Sequence, residues 1–281
     1  MAGSDGARLD SALVERGLAR SRTLAARLIA DGLVTLDGRP VVKASTRVPE
    51  HAELAVTASD GWVSRGAHKL IAAFDRFGID PAGRLALDAG ASTGGFTQVL
   101  LSRGARKVLA IDVGHGQLAG EVALDERVAS FEGVNVRELD AGRLAGLSGS
   151  AERPSLVVAD LSFISLRLVF GPLISCATPA ADYVLLIKPQ FEVGRTGIRE
   201  GIVRDAGLRA DAIVDVLWAA WDAGLGTADL MSSPITGSAG NREYLVHLRA
   251  ARDVPASESN DQSEWGSPSL WEGRIPSIAG A

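Results

Sequence analysis

The stretch LDAGASTGGF, at residues 87–96, places a run of small residues between an apolar segment and a helix-like one. A strand, a tight turn and a helix in that order leave backbone N–H groups free where a nucleotide-like ligand can bind. Ser92 stands where a dinucleotide fingerprint has its second glycine, and the Gly-Lys-Ser/Thr of a phosphate loop is missing. The turn therefore predicts a ligand without a pyrophosphate, and a purely structural turn is the alternative.

A carboxylate follows at the end of the next apolar segment, VLAID. In this position Asp112 can accept hydrogen bonds from both ribose hydroxyls of an adenosyl group. S-adenosylmethionine has an adenosyl group and no pyrophosphate, so it is the predicted cofactor. Its predicted contacts are Gly90, Ala91, Ser92, Thr93, Gly94, Gly95, Phe96 and Asp112.

The side chains in the predicted site limit which kind of atom can accept the methyl group. Methyltransferases that modify exocyclic amines commonly carry Asn/Asp-Pro-Pro-Tyr/Phe after the fourth strand, whereas ADLSFIS here keeps Asp160 without the prolines. Methylation of pyrimidine carbon generally needs a cysteine nucleophile, and the single cysteine, Cys176, lies in an apolar run typical of a buried residue. These patterns favour an oxygen acceptor.

One lysine is placed to act on such an oxygen. In the segment YVLLIKPQ, Lys188 follows the apolar residues YVLLI, and Pro189 stops the strand directly after it. A lysine acts as a base only if its pKa is lowered, by burial or by a neighbouring cation. Lys188 is therefore a candidate base at the sheet edge, and a lysine that extends from the strand end into solvent is the alternative.

Strand and helix patterns alternate from about Gly66 to Arg249. The strand candidates LALDAG, KVLAIDVG, SLVVADLS and YVLLIKPQ are separated by helix-like stretches, and YLVHL follows as a last strand. Strands that are apolar on both faces indicate a parallel sheet covered by helices on both sides. The predicted fold class is α/β, with a Rossmann-like, doubly wound sheet.

A small α+β module is predicted before this sheet. A short helix ends at Gly17, and SRTLAARLIADG forms a second helix with Ser21 as N-cap that stops at Gly32. LVTLDGRPVV then predicts two strands joined at Asp37-Gly38. The predicted domains are a module at 1–58, a linker at 59–65, a catalytic domain at 66–252 and an acidic, disordered tail at 253–281, for which a loosely packed lid is the alternative.

Charge and composition limit the class of protein. Positions 8–47 contain eight basic and four acidic residues, whereas positions 253–281 contain one basic and five acidic residues. No apolar stretch approaches a membrane span, the first ten residues have no apolar core, and one cysteine excludes a disulfide framework or an all-cysteine zinc site. A cytoplasmic protein without a metal centre is expected.

Together the motifs resemble the TlyA family of ribosomal RNA 2′-O-ribose methyltransferases, whose catalytic domain is similar to that of FtsJ-type enzymes. The resemblance runs from about Arg8 to Leu248 and rests on RLDSALVERGLARSR, WVSRGAHKL, LDAGASTGGFT, DVGHGQLA, VVADLSFISL, IKPQFEVG and GNREYLVHL. It implies a catalytic tetrad of Lys69, Asp160, Lys188 and Glu243. In this tetrad Lys188 contacts or deprotonates the ribose hydroxyl, Lys69 assists it, and the two carboxylates orient the lysines.

The resemblance also implies the partners. The N-terminal module resembles an RNA-binding fold first seen in a small-subunit ribosomal protein, and cations supply most of the sequence-independent affinity for RNA. The predicted RNA contacts are Arg8, Arg20, Arg22, Lys43, Arg65 and Arg137, and Asn135 is predicted near the adenine of the cofactor. The implied substrate is cytidine in ribosomal RNA of one or both ribosomal subunits, with no DNA or membrane partner.

Two departures and two alternative functions stay open. His115 stands where many family members carry a tyrosine, and Gly120 stands where they carry an aromatic residue. Because relatives have carried a haemolysin name, a membrane-active protein is one alternative, although SRTLAARLIADG is short for a membrane-active helix. A protein that binds RNA without reacting is the other alternative.

Overall fold

A computed structural model describes residues 6–19, 21–30, 32–56, 61–194, 197–198, 200–237, 240–251 and 266–280. These residues form two compact units, which divide between Trp62 and Val63.

The N-terminal unit consists of two helices and two small antiparallel sheets. The pairing orders are β1-β4 and β3-β2-β5, and the core contains Leu9, Leu13, Ile29 and Val34, all fully buried. The elements are β1 (Ala7–Arg8), α1 (Leu9–Glu15), α2 (Arg22–Ala30), β2 (Val34–Leu36), β3 (Arg39–Pro40), β4 (Arg47–Val48) and β5 (Leu54–Val56).

The local features predicted for this unit are confirmed. The Ser21 hydroxyl accepts a hydrogen bond from the Leu24 N–H at 3.2 Å, as an N-cap does. Asp37 and Gly38 both have positive φ, 49° and 74°, which a two-residue hairpin turn of the favoured twist requires. The strands β2 and β3 meet across this turn, with Leu36 opposite Arg39.

The second unit contains a seven-stranded sheet with helices on both of its faces. Its first half comprises α3 (Gly66–Phe77), β6 (Leu85–Ala89), α4 (Gly95–Ser102), β7 (Lys107–Asp112), α5 (Gly120–Ala123), β8 (Val128–Glu132), a 3-10 helix (Val136–Glu138) and α6 (Ala141–Ser148). Its second half comprises β9 (Leu156–Ala159), a 3-10 helix (Leu166–Leu168), α7 (Phe170–Cys176), β10 (Asp182–Ile187), α8 (Pro189–Glu192), α9 (Ala206–Asp222), β11 (Leu225–Ser232), β12 (Tyr244–Ala250), α10 (Ser269–Glu272) and α11 (Ile275–Ala279).

The strand order is β11-β12-β10-β9-β6-β7-β8. The five strands from β10 to β8 run parallel, and β12 is antiparallel to both β10 and β11. Between β6 and β9 the chain reverses its direction of travel across the sheet, and this is where open α/β sheets bind their ligands. The predicted α/β class is confirmed.

Two strands of this sheet were not predicted from the sequence. The strand β8 lies at one edge of the sheet and is only partly buried. The strand β11 lies at the other edge and contains Gly226 and Asp229, which are uncommon in strands. The apolar runs that identify the other five strands reflect burial on both faces, which an edge strand does not need.

The disorder predicted for residues 253–281 is wrong for residues 266–280. This segment contains α10 and α11, and Trp271, Ile275 and Ala279 belong to the main apolar core. Ile275 and Ala279 are four residues apart and share one face of α11, whereas Trp271 lies on α10. The acidic, Ser-rich composition of the tail as a whole conceals this short apolar pattern.

The C-terminal segment also covers the edge of the sheet. The Thr227 N–H in β11 donates to the Gly266 carbonyl at 2.8 Å, and the Ser232 hydroxyl donates to the Ile278 carbonyl at 2.8 Å. Covering an edge strand in this way protects it from pairing with another chain.

We predict that Trp271→Ala lowers the free energy of unfolding by about 3 kcal/mol, because a buried aromatic side chain leaves a cavity when it is truncated. Trp271 is 6% exposed, whereas its neighbour Glu272 is exposed, so Glu272→Ala is the matched control. Denaturant titration followed by circular dichroism measures both variants. Equal stability of both variants and the wild type would contradict the packing of this segment.

Candidate active site

A glycine and three polar side chains lie at the carboxyl ends of neighbouring parallel strands in the central sheet. Gly90 follows β6, Asp112 ends β7, Asp160 follows β9 and Lys188 follows β10. Since parallel strands present their carboxyl ends at the same edge, residues far apart in sequence meet there.

The glycine turn is shaped by close backbone contacts. Gly90 has φ 82°, and a Cβ atom there would lie 2.8 Å from the Asp160 carbonyl oxygen. Gly94 has φ 93°, and a Cβ atom there would lie 2.8 Å from a Leu118 methyl group. Ser92 adopts φ 47°, a left-handed conformation that is rare for a residue with a side chain. The turn therefore brings the backbone of β6 directly against the residue that follows β9.

Asp112 is held by two backbone groups. Its Oδ2 accepts a hydrogen bond from the Ser92 N–H at 2.8 Å, and its Oδ1 accepts one from the Gly114 N–H at 2.7 Å. A carboxylate oxygen has two lone pairs, so each oxygen can accept a further hydrogen bond from a hydroxyl group.

A cavity of about 870 Å³ opens beside the turn. Of the residues predicted to contact a cofactor, Gly90, Ser92, Asp112 and Asn135 line it. Ala91, Thr93, Gly94, Gly95 and Phe96 are not in its wall and instead form the turn and the first residues of α4. The Asn135 Oδ1 accepts a hydrogen bond from the Arg137 N–H at 3.1 Å, which caps the short helix that follows.

The structure brings together the four residues of the predicted tetrad. Lys69 Nζ lies 2.6 Å from Glu243 Oε2 and 3.8 Å from Asp160 Oδ2. Lys188 Nζ lies 2.6 Å from Asp160 Oδ1. Lys69, Lys188 and Glu243 are 6%, 9% and 4% exposed, so these charges are almost fully removed from water. One carboxylate is therefore shared by two buried ammonium groups.

Asp160 remains ionised because of these neighbours. Burial by itself raises the pKa of a carboxyl group, but the positive charges of Lys188 and Lys69 outweigh it here and hold the pKa of Asp160 below its usual value. Asp160 also lines the cavity, so the ion-pair network reaches the space where a substrate can bind.

The elements around Lys69 and Glu243 explain why both are buried. Lys69 lies on the face of α3 that also buries Ala67, Leu70, Ala73 and Phe74. Glu243 directly precedes β12, and its carboxylate would collide with any side chain at position 237. Asn241 fixes the same loop, because its Oδ1 accepts from the Val203 N–H at 3.0 Å and its Nδ2 donates to the Gly201 carbonyl at 2.8 Å.

Two residues that were not predicted from the sequence as site residues, Ser162 and Phe163, line the cavity. Lys188 Nζ donates a hydrogen bond to the Ser162 hydroxyl at 2.9 Å. Phe163 is 91% exposed and has φ 64°, and its ring centroid lies 5.3 Å from that of Phe191. The position of Phe163, directly after the predicted strand SLVVADLS, was the available signal, because residues that follow the carboxyl end of a parallel strand lie where such sheets bind ligands.

The residues predicted to contact RNA are distributed over both units. Arg8 and Arg22 form ion pairs with Asp10 at 3.1 and 2.9 Å, and the hydrogen bonds from both arginines hold the pKa of Asp10 well below its usual range. Lys43 is exposed, whereas Arg20 lies outside the described residues. In the second unit, Arg65 precedes α3 and Arg137 lines the cavity.

Sequence comparison identifies both units. A profile of the FtsJ-like methyltransferase family matches residues 62–250, about two thirds of the chain. The chain belongs to the FtsJ-like methyltransferase family. A profile of the S4 domain matches residues 7–54 in the N-terminal unit. Both matches confirm the resemblance noted from the sequence motifs.

Individual relatives extend over almost the whole FtsJ-like methyltransferase. The 16S/23S rRNA (cytidine-2′-O)-methyltransferase TlyA of Mycobacterium tuberculosis (strain ATCC 25618 / H37Rv) is 49% identical over 250 residues, which cover 88% of this chain and 91% of that protein. Hemolysin A of Brachyspira hyodysenteriae is 36% identical over 242 residues, which cover 86% and 99%. A solved structure, "Putative hemolysin from Streptococcus thermophilus", has a TM-score of 0.71 at 32% identity and covers 99% of this chain and 96% of that chain.

The haemolysin names raise the question of membrane contact. None of the helices in the described ranges combines the length and the apolarity needed to cross a lipid bilayer.

A buried carboxyl group lies beneath the glycine turn of the FtsJ-like methyltransferase. Asp88 in β6 is fully buried, and its Oδ2 accepts a hydrogen bond from the Thr97 hydroxyl at 2.6 Å. Its Oδ1 has no hydrogen-bond partner among the described residues. Burial raises the pKa of Asp88 to about 7, and the negative charges of Asp160 and Asp112 add to this.

We predict that Asp88→Asn stabilises the protein more at pH 8 than at pH 5. The folded-state pKa of about 7 exceeds the ordinary value of 3.8. At pH values below 3.8 Asp88 is protonated in both the folded and the unfolded protein, and its full contribution to stability is present. This contribution is lost as the pH rises from 3.8 to about 7, because the unfolded protein ionises first. Asparagine is always neutral, so the variant avoids this loss, which is on the order of a few kcal/mol.

Denaturant titrations at pH 5, 6, 7 and 8 measure this difference. Asp222→Asn is the matched control, because Asp222 is exposed at the end of α9. An Asp88→Asn effect of the same size at every pH would show that the buried carboxyl group does not change its charge in this range.

Proposed function

We propose that this FtsJ-like methyltransferase transfers the methyl group of S-adenosylmethionine to the ribose 2′-hydroxyl of cytidine in ribosomal RNA. The observation that carries the proposal is the pair of buried lysines on one carboxylate at the wall of the cavity. The name of the M. tuberculosis relative supports the choice of cytidine in ribosomal RNA.

Three features of the cavity fit S-adenosylmethionine. Gly90 lines the cavity without a side chain, Asp112 offers two carboxylate oxygens, and the turn at residues 90–96 contains no lysine or arginine for a pyrophosphate. Gly90, Ser92, Asp112 and Asn135 are the residues that would hold the cofactor. When bound, it supplies a methyl group that is electrophilic because it is attached to a positively charged sulfur.

In this proposal Lys188 meets the ribose 2′-hydroxyl. It would accept the hydroxyl proton as the oxygen forms its bond to the methyl carbon and the bond between that carbon and sulfur breaks, with its electron pair left on sulfur. This role requires Lys188 in its neutral form. Asp160 fixes the position of Lys188 by the 2.6 Å contact. Lys69, held by Glu243, supplies positive charge on the other side of Asp160 and helps to hold the ribose.

The RNA is proposed to be held mainly through its phosphates. Arg8, Arg22 and Lys43 are the candidate contacts of the N-terminal unit, since the S4 match covers all three and cations attract the backbone of RNA. Arg65 and Arg137 are the candidates in the catalytic unit. Phe163 offers an exposed aromatic face on which a base of the RNA can stack.

We predict that purified protein transfers tritium-labelled methyl groups to ribosomal subunits from cells that lack it, and that nuclease digestion yields 2′-O-methylcytidine. Lys69→Ala and Lys188→Ala are expected to lose at least about 100-fold in turnover. Their affinity for S-adenosylmethionine, measured by calorimetry, should remain close to that of the wild type, because neither lysine lies in the glycine turn.

Lys107→Ala is the matched control, since Lys107 begins β7 and therefore lies at the amino ends of the parallel strands, whereas Asp160 and Lys188 lie at their carboxyl ends. Methylation of a base instead of a ribose would overturn the proposal. So would tight RNA binding without turnover by the wild type, which would indicate a binding protein. Liposome leakage that persists in Lys188→Ala would support the membrane-active alternative.

We predict that Phe163→Ala lowers kcat/KM for RNA roughly 10-fold, which is the usual worth of one stacked base, while Phe163→Tyr retains activity. Affinity for S-adenosylmethionine should not change. Trp218→Ala is the control, because Trp218 is a partly exposed aromatic residue on α9 that does not line the cavity. Equal activity of Phe163→Ala and the wild type would exclude stacking at this position.

A further inference from the structure

The surroundings of Lys188 contain one contact that the tetrad does not account for. Besides its ion pair with Asp160, Lys188 Nζ donates a hydrogen bond to the Ser162 hydroxyl at 2.9 Å. Ser162 lines the cavity, and its side chain is exposed. An exposed serine can form hydrogen bonds with water and does not need a lysine partner. The contact is therefore more important for Lys188 than for Ser162.

The number of hydrogens on the Lys188 nitrogen explains why a second oxygen partner matters. The ammonium form of Lys188 has three N–H groups and no lone pair, so only the neutral amine, formed by loss of one proton, can act as a base. The neutral amine has two N–H groups and one lone pair, arranged with the side-chain carbon around a tetrahedral nitrogen. Asp160 Oδ1 lies 2.6 Å from Lys188 Nζ, and Ser162 Oγ lies 2.9 Å from it. In the neutral amine, contacts of the two N–H groups with these two oxygens would leave the lone pair for the substrate.

Without Ser162 the amine has an uncommitted N–H group. That group can donate to the ribose oxygen, which holds the hydroxyl group but does not remove its proton. Ser162 thus favours the one orientation of Lys188 in which the lone pair meets the hydroxyl proton.

The loop that carries Ser162 is pinned at both ends. Before it, the Asp160 N–H donates to the Ala89 carbonyl at 3.2 Å. After it, the Ser165 hydroxyl and the Leu166 N–H donate to Glu192 in α8, at 2.5 and 2.9 Å. Because α8 directly follows Lys188, Glu192 fixes the distance between the serine loop and the lysine.

The geometry points to Ser162 as a positioning residue that aims the lone pair of Lys188 at the ribose 2′-hydroxyl. This inference rests on the proposed function, because it assumes that Lys188 accepts a proton. Its chemistry adds no new step, since Ser162 is neither the acceptor of the methyl group nor the final acceptor of the proton.

The kinetic test compares three variants at saturating cofactor. Ser162→Ala is expected to lower kcat roughly 10-fold, the worth of one hydrogen bond, with KM for RNA unchanged. Ser162→Thr keeps the hydroxyl group and should restore most of kcat. Ser102→Ala, which removes an exposed hydroxyl on α4, should match the wild type. An unchanged kcat in Ser162→Ala, or a rise in KM alone, would overturn the inference.

A second measurement does not depend on turnover. The protein has four lysines, Lys43, Lys69, Lys107 and Lys188, so their side-chain nitrogens can be resolved by ¹⁵N NMR and assigned with single Lys→Arg variants. Ser162→Ala should shift the Lys188 signal and leave that of Lys107 in place. An unchanged Lys188 signal would refute the contact. A shifted signal in a protein that methylates no RNA would confirm the contact between Ser162 and Lys188 but refute the proposed function, and with it the role of Ser162 in proton transfer.

Discussion

Two buried ammonium groups share the carboxylate of Asp160. The elements of the catalytic unit must pack so that these charges stay close together. A buried charge is costly unless an opposite charge compensates it. Lys69 and Lys188 are each less than a tenth exposed, so Asp160 and Glu243 must both be present and close. The four residues come from α3, the end of β9, the end of β10 and the start of β12, and a shift of any of these elements leaves a charge unpaired.

The glycine turn and the ion-pair network meet in one contact. The backbone of Gly90 approaches the carbonyl of Asp160 so closely that no Cβ atom fits between them. The residue that pairs with both lysines is therefore also a wall of the cavity beside the turn. The reversal of strand order between β6 and β9 creates this neighbourhood, because it places the loops after the two adjacent strands side by side.

The C-terminal segment helps to hold the start of β12, which follows Glu243. Arg209 in α9 is buried, and its guanidinium donates to the Ala279 carbonyl at 2.9 and 3.1 Å and to the Tyr244 hydroxyl at 3.2 Å. Tyr244 directly follows Glu243, so α9, α11 and the start of β12 are fastened together beside the tetrad. The segment at 266–280 is thus part of the catalytic unit and fixes the strand that presents the partner of Lys69.

The sequence by itself determined the strands that are buried on both faces and the polar residues at their ends, Asp112, Asp160 and Lys188. Those features depend on local patterns, since a strand between two helical layers must be apolar along its length. Motif resemblance added Lys69 and Glu243, which no local pattern connects. Only the tertiary structure decided that Lys69 and Glu243 form a pair across 174 positions, that Ser162 contacts Lys188, and that Trp271 enters the core. Contacts of this kind depend on where whole elements pack, and a short amphipathic segment or an exposed loop carries too weak a local signal to specify its partner.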